Sequence, residues 1–246
     1  MKSEPMGESM TYSSLAFTIT TVIMKHLILL LAALLCSGTL LTGCGSIYSP
    51  TLNLPHEPLT RNQGMITGTA ALLPQTGMGD MGIAGSGEGQ ISYAFSDRFS
   101  LQAKAWSQFS ELYQLRYNGG TSLSATFLLN SRTASLPLAL IATSSMLIDG
   151  RSIMANGGSL HLAGWFPAIG VFRPYAAAGL GMMVADFATH DWGYGGIINF
   201  GTSIQFSDGL FANVEFFGIL QRYQYYHTIS GILAPSFSVS WRFNNN

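Results

Sequence analysis

Phe99-Ser100-Leu101-Gln102-Ala103-Lys104-Ala105-Trp106-Ser107 is the stretch on which the reading of the whole chain turns. Odd positions are apolar through Ala105, and Ser100, Gln102 and Lys104 between them are polar. Side chains alternate across a β-strand, so a period of two makes one apolar face and one polar face. Ser236-Phe237-Ser238-Val239-Ser240-Trp241-Arg242-Phe243 does the same, and Ser122-Leu123-Ser124-Ala125-Thr126-Phe127 repeats it. From Ile198 to Phe206 the even residues are apolar, Thr202 excepted. Two architectures share such strands. A β-sandwich or lipocalin-like barrel turns the apolar faces inward, and a transmembrane barrel turns them to lipid. Charge decides between them. Charged residues are 9% of the chain, against about 25% in soluble domains. The polar faces carry Ser, Thr, Asn, Gln and Gly where a soluble surface needs Lys and Glu. The reading is an all-β, antiparallel, up-and-down transmembrane β-barrel. A net charge of −1 argues against a nucleic-acid partner.

Working outward, the period of two and the turn residues give strands over 64–74, 87–96, 99–108, 119–130, 136–147, 157–166, 174–186, 195–206, 210–221 and 231–243. That is ten, an even number, with both ends of the barrel on one side of the membrane. The first and fifth segments carry the least pattern, and without them the count is eight. Tight connections at Ser96-Asp97-Arg98 and Ser207-Asp208-Gly209, with slightly longer ones at 130–134 and 167–173, alternate with longer segments at 75–86, 109–118, 148–156, 187–194 and 222–230. Short periplasmic turns and long extracellular loops are the expectation. Trp192, Tyr194, Tyr223, Tyr225, Tyr226 and Tyr113 then fall near the extracellular ends as an interfacial aromatic girdle.

Upstream, Met24-Lys25-His26 opens a short cationic start, Leu27–Leu35 is an apolar run, and small residues follow, which is the make-up of a secretory signal. The run is short for a membrane span. It ends on Leu41-Thr42-Gly43-Cys44, which resembles the lipobox of bacterial lipoproteins. The resemblance implies cleavage before Cys44 and a covalent lipid on that residue, with no other cofactor expected. It also implies sorting to the outer membrane, since Gly45 follows the cysteine where inner-membrane retention shows aspartate. The expected organisation is a non-native extension over 1–23, a lipoprotein signal peptide over 24–43, a Pro-rich tether over 44–62 and the barrel over 63–246.

Gly89-Gln90-Ile91-Ser92-Tyr93-Ala94-Phe95-Ser96-Asp97-Arg98-Phe99-Ser100-Leu101 and Arg173-Pro174-Tyr175-Ala176-Ala177-Ala178-Gly179-Leu180-Gly181 resemble strands of the small OmpA/OmpX-type outer-membrane barrels. The alternating last strand resembles the C-terminal assembly signal of those proteins, here with Asn244-Asn245-Asn246 after Phe243. The implied partners are outer-membrane lipid and the barrel-assembly and lipoprotein-sorting machinery.

If Phe99, Leu101, Ala103 and Ala105 face lipid, Lys104 faces the lumen, as do His161 and Glu215 by the same parity. Counting from the nearest turns puts the three at one depth, so Lys104, His161 and Glu215 form a candidate interior polar cluster with a Lys104–Glu215 pair. Charges out of water need such partners. A polar gate and a register-fixing plug are both consistent with it. No metal-ligand cluster, P-loop or dinucleotide fingerprint occurs. The leading function is non-enzymatic: an envelope-structural, adhesion or small-solute role. A barrel hydrolase is the alternative, an omptin-like protease using His190-Asp191 with Asp186, Asp149 or His227, or a lipid A-modifying enzyme using Ser159 and His161. A lipid-tethered periplasmic lipocalin-like carrier is the third.

Overall fold

The fold is given by a computed structural model that describes residues 51–76, 81–110, 118–149, 152–186, 191–223 and 229–244. The signal, the lipobox and Cys44 lie outside the described residues. Ten strands follow in order: β1 (Gln63–Thr76), β2 (Met81–Ala94), β3 (Phe99–Ser110), β4 (Asn118–Leu128), β5 (Leu138–Asp149), β6 (Ser152–Trp165), β7 (Phe172–Asp186), β8 (Asp191–Gln205), β9 (Leu210–Tyr223) and β10 (Ile229–Asn244). Each pairs antiparallel with its sequence neighbours, and β1 pairs with β10, so the sheet closes into a barrel with no free edge. Gln63 stands opposite Asn244. The chain thus enters and leaves the wall at one end, here called the terminal end. The other is the distal end.

Alternation sorts the wall into two faces. On β3 Lys104 and Trp106 are buried toward the lumen, while Phe99 is exposed outside. On β10 Ser236, Ser238 and Ser240 are buried, and Phe237, Val239 and Trp241 are exposed. Leu123, Phe127, Leu140, Leu160, Leu162, Leu180, Ile198 and Leu220 continue the exposed apolar surface around the ring. An apolar exterior around a polar interior is the transmembrane barrel, since lipid asks for no charge and no hydrogen bonds from the outer face. At the terminal end Phe95, Phe99, Phe127, Phe166, Phe172, Phe206 and Trp241 are all exposed. This aromatic belt lies at the end opposite to the girdle expected from sequence. Of that girdle, the side chain of Tyr194 is described and exposed. The others lie outside the described side chains.

Two expectations change. The contrast of short turns with long loops is not there. The strands run on into the segments read as loops, as with Thr76 paired to Met81 and Asn118 to Asp149. Backbone ladder bonds extend a strand wherever the neighbour is in register, with or without apolar alternation. The second change concerns the tether. Thr51, Leu52, Asn53, Leu54, His56 and Leu59 are all buried inside the barrel. Leu52 and Leu54 join Leu128, Ala139, Ile141, Ala163, Trp165, Tyr175 and Ala177 in one apolar cluster. Burying each leucine contributes about 1.5–3 kcal/mol. Leu59 packs with Met65 and Ala94 nearer the terminal end. The segment is a lumen plug, and Pro55 and Pro58, which read as part of a loose linker, stiffen it.

Candidate functional site

At mid-height the plug crosses two buried carboxylates. Glu88 on β2 pairs with Lys104 on β3, Nζ to Oε2 3.3 Å. Gln90 is the residue directly opposite Lys104, so Glu88 is its diagonal neighbour, within reach of a long side chain. Thr51 of the plug sits between the two. Its hydroxyl donates to Glu88 Oε2, and Lys104 Nζ donates to the Thr51 carbonyl and to Thr51 Oγ1.

Glu215 on β9 is fully buried and is held by neutral donors. Oε1 accepts from the backbone N–H of Leu52 at 2.9 Å and from Asn199 Nδ2 at 3.0 Å. Oε2 accepts from the N–H of Asn53 at 3.1 Å and from the Tyr175 hydroxyl at 2.9 Å. Two consecutive amides converge on one carboxylate because Asn53 is left-handed, with φ of 48°. Successive N–H groups around such a residue form an anion-binding nest. Asn is among the few residues that adopt this backbone readily. Its side chain fixes the turn, donating to Thr51 Oγ1 and to Thr69 Oγ1 on β1. Tyr175 reaches Glu215 by lying across Gly201, its partner on β8. A Cβ there would fall 2.9 Å from Tyr175 Cζ.

His161 on β6 is buried, with Nε2 2.8 Å from Ser159 Oγ and Nδ1 without a partner among the described residues. It lies against Gly179, where a Cβ would collide with the ring. A cavity of about 20 Å³ separates it from the plug, lined by Lys104, Ser122, Ser124, Thr143 and Ser145 among others. That is room for one water. At this height the described side chains and the plug leave no larger gap on the His161 side.

Toward the terminal end the Trp165 indole donates to the Pro55 carbonyl at 2.8 Å. His56 stacks on Phe211 at 5.6 Å, and Arg242 lies 5.0 Å over the same ring. His56 belongs to the plug and not to the spanning strands. Burial first, then the nearby Arg173 charge, lower its pKa below the ordinary histidine value. Arg173 bonds Glu57 at 2.9 Å.

The structure thus puts Lys104, His161 and Glu215 in one lumen, and adds Glu88 as an ion-pair partner of Lys104 at 3.3 Å where parity and depth alone point to Glu215. Glu88, Thr51 and Asn53 were missed. Glu88 shares the lumen parity of Gln90 and Ser92, and Thr51-Leu52-Asn53-Leu54 itself alternates, so a signal existed for both. Cys44, His190 and His227 fall outside the described residues, as do the side chains of Asp149, Asp186 and Asp191.

No family model and no curated protein matches the sequence. Among solved structures, the chain is similar to the N-terminal β-barrel domain of OprF from Pseudomonas aeruginosa, at 13% identity over 75% of this chain and 100% of that one, TM-score 0.35. It is similar to an outer-membrane channel from Pseudomonas putida F1, at 10% identity over 76% of this chain and 98% of that one, TM-score 0.46. It is also similar to the outer-membrane protease OmpT from Escherichia coli, at 10% identity over 79% of this chain and 99% of that one, TM-score 0.37.

Proposed function

We propose that the chain is a lipid-anchored barrel of the bacterial outer membrane, with a non-enzymatic role in the envelope and a lumen closed at rest by its own residues 51–59. The observation that carries this reading is the plug, with Leu52 and Leu54 in the apolar cluster and the Leu52 and Asn53 amides on Glu215. A plugged lumen suits an envelope-structural or adhesion role directly. A small-solute role requires the segment to move. Lys104, His161 and Glu215 act in this reading as the framework that holds plug and register. The anchor reading rests on the signal sequence and the lipobox ending at Cys44, with sorting and barrel-assembly machineries as partners during biogenesis.

A hydrolase in the described lumen is disfavoured. Ser159 and His161 are in contact, but His161 Nδ1 has no acid to orient the ring. Two measurements test the proposal. Purified full-length chain in planar bilayers is expected to show no steady conductance, and a large stable open level would overturn closure. Labelled palmitate is expected on Cys44 and absent in Cys44→Ala. Normal labelling of that variant would remove the anchor from the proposal.

A further inference from the structure

The contacts between plug and wall are those of a receptor with a bound peptide. The wall addresses the main chain of the segment at four points: Glu215 takes the Leu52 and Asn53 amides, Lys104 donates to the Thr51 carbonyl, and Trp165 donates to the Pro55 carbonyl. It also reads side chains. Thr51 bridges Glu88 and Lys104, and Leu52 and Leu54 enter the apolar cluster. Several groups of the wall would lose buried partners without it: Lys104 and Trp165 would lose their plug acceptors, and both carboxylates would lose donors. Glu215 would lose two of the four donors that the structure gives it, and Glu88 would lose the Thr51 hydroxyl. A buried carboxylate stripped of donors is costly, so the site selects for an occupant that restores them.

We infer that the lumen is a peptide-binding site. Its ligand class is a short peptide in which a left-handed Asn or Gly brings two consecutive amides onto Glu215, with a hydroxyl residue two positions before it and leucine-sized residues on either side. Residues 51–55, Thr-Leu-Asn-Leu-Pro, are the resident occupant, and the same chemistry supplied by a separate peptide exchanges for them. This deepens the closed-barrel reading and rests on it. The left-handed Asn53 is the discriminating feature. Glycine adopts that backbone freely, and a β-branched residue does not.

The test uses the full chain with specific protease sites inserted between Thr60 and Arg61 and between Ile47 and Tyr48, the second to free the segment from any lipid on Cys44, assembled in bilayers and cut afterwards, so that the wall folds with its plug in place. The wild-type barrel gives the closed baseline and tests closure independently of exchange. After cutting and dilution, conductance is expected to rise. Added peptide with the sequence of residues 48–60 is expected to close it again in a dose-dependent way. The Asn53→Gly peptide keeps the backbone but loses the bonds to Thr51 and Thr69, and should act at a several-fold higher concentration. The Asn53→Val peptide should require roughly tenfold more or worse, because valine resists positive φ. If the insertion prevents assembly, full-length Leu52→Asp/Leu54→Asp, whose plug cannot stay in the apolar cluster, replaces the cut chain and meets the same three peptides. Re-closure with the Gly-over-Val order supports the receptor. Cut barrels that stay closed after dilution overturn exchange. Open barrels that ignore the peptide, or that accept the Val form equally well, overturn the binding site.

Discussion

Glu88 and Glu215 are both buried in the same lumen, on strands three steps apart around the ring, yet they are neutralised in opposite ways. Glu88 meets a cation, Lys104. Glu215 meets four dipoles: two plug amides, a phenol and a carboxamide. The first arrangement is mostly wall against wall and needs two specific residues on adjacent strands. The second is half wall and half plug, and it takes its plug share from backbone, which every residue carries. A charge pair fixes the register of β2 against β3, whereas a ring of dipoles fixes the position of a segment that is not part of the sheet. The lumen thus holds one device for the wall and one for what the wall encloses.

The largest effect expected from breaking this contrast is at the pair. Lys104→Met leaves the Glu88 carboxylate without its cation and should cost about 3–5 kcal/mol in a refolding titration. Lys104→Met with Glu88→Gln should recover much of that loss, and a double-mutant cycle measures the coupling. Recovery with Glu215→Gln instead would restore the pairing that the sequence alone suggests. Next, Glu215→Gln keeps the shape but replaces one acceptor oxygen with a donor facing the plug amide or the phenol. The loss should be about 1.5–3 kcal/mol, the scale of a hydrogen bond to a charged group, and should appear with raised protease access to residues 51–59. An unchanged titration would mean that the amides do not depend on the carboxylate. Tyr175→Phe removes one of the four donors and leaves the plug amides in place. It should cost about 1.5 kcal/mol and leave protease access nearly as in the wild type, separating the wall share of the ring from the plug share.

The smallest effect is in pH. His56 has a folded-state pKa lowered by burial and by Arg173, with Arg242 acting the same way more weakly and Glu57 and the Ser203 backbone opposing. The segment is therefore bound with neutral His56. Its share of stability is full above the ordinary histidine value of about 6.5 and is lost as pH falls below it toward the depressed value. Openings should become more frequent between about pH 7 and pH 5, and His56→Phe should flatten that dependence. A wild-type barrel equally quiet across this range would remove His56 from the seal.

The barrel was legible because its strands repeat one rule. β3 and β10 alternate cleanly, and a ring of strands obeying the same parity has one apolar exterior. The strand ends were not legible. Met81 to Gly89 holds little apolar alternation, and it is cross-strand pairing with β1 that keeps it extended. The interior placement of Lys104, His161 and Glu215 followed from parity, but their partners did not. Which walls face each other depends on stagger around the ring, which no single strand records. Three prolines and no long period make the plug look like a linker. A segment with a few contacts on many strands has no periodic signature to leave.

The bonds that seat the plug also join the chain across great sequence distances. Leu52 and Glu215 are 163 residues apart, and Thr51 and Lys104 are 53 apart. The loops they close are long, and Glu215 reaches its position only when the ninth strand has joined the sheet. Contacts of that span are expected to form late, since the loop must close before they contribute. Interactions made after the rate-limiting step leave the speed of assembly nearly unchanged and act on the reverse rate. A segment that precedes the first strand in the chain is thus expected to be among the last to be fastened. What its fastening confers is endurance: a ring that, once shut around its own beginning, is slow to come apart.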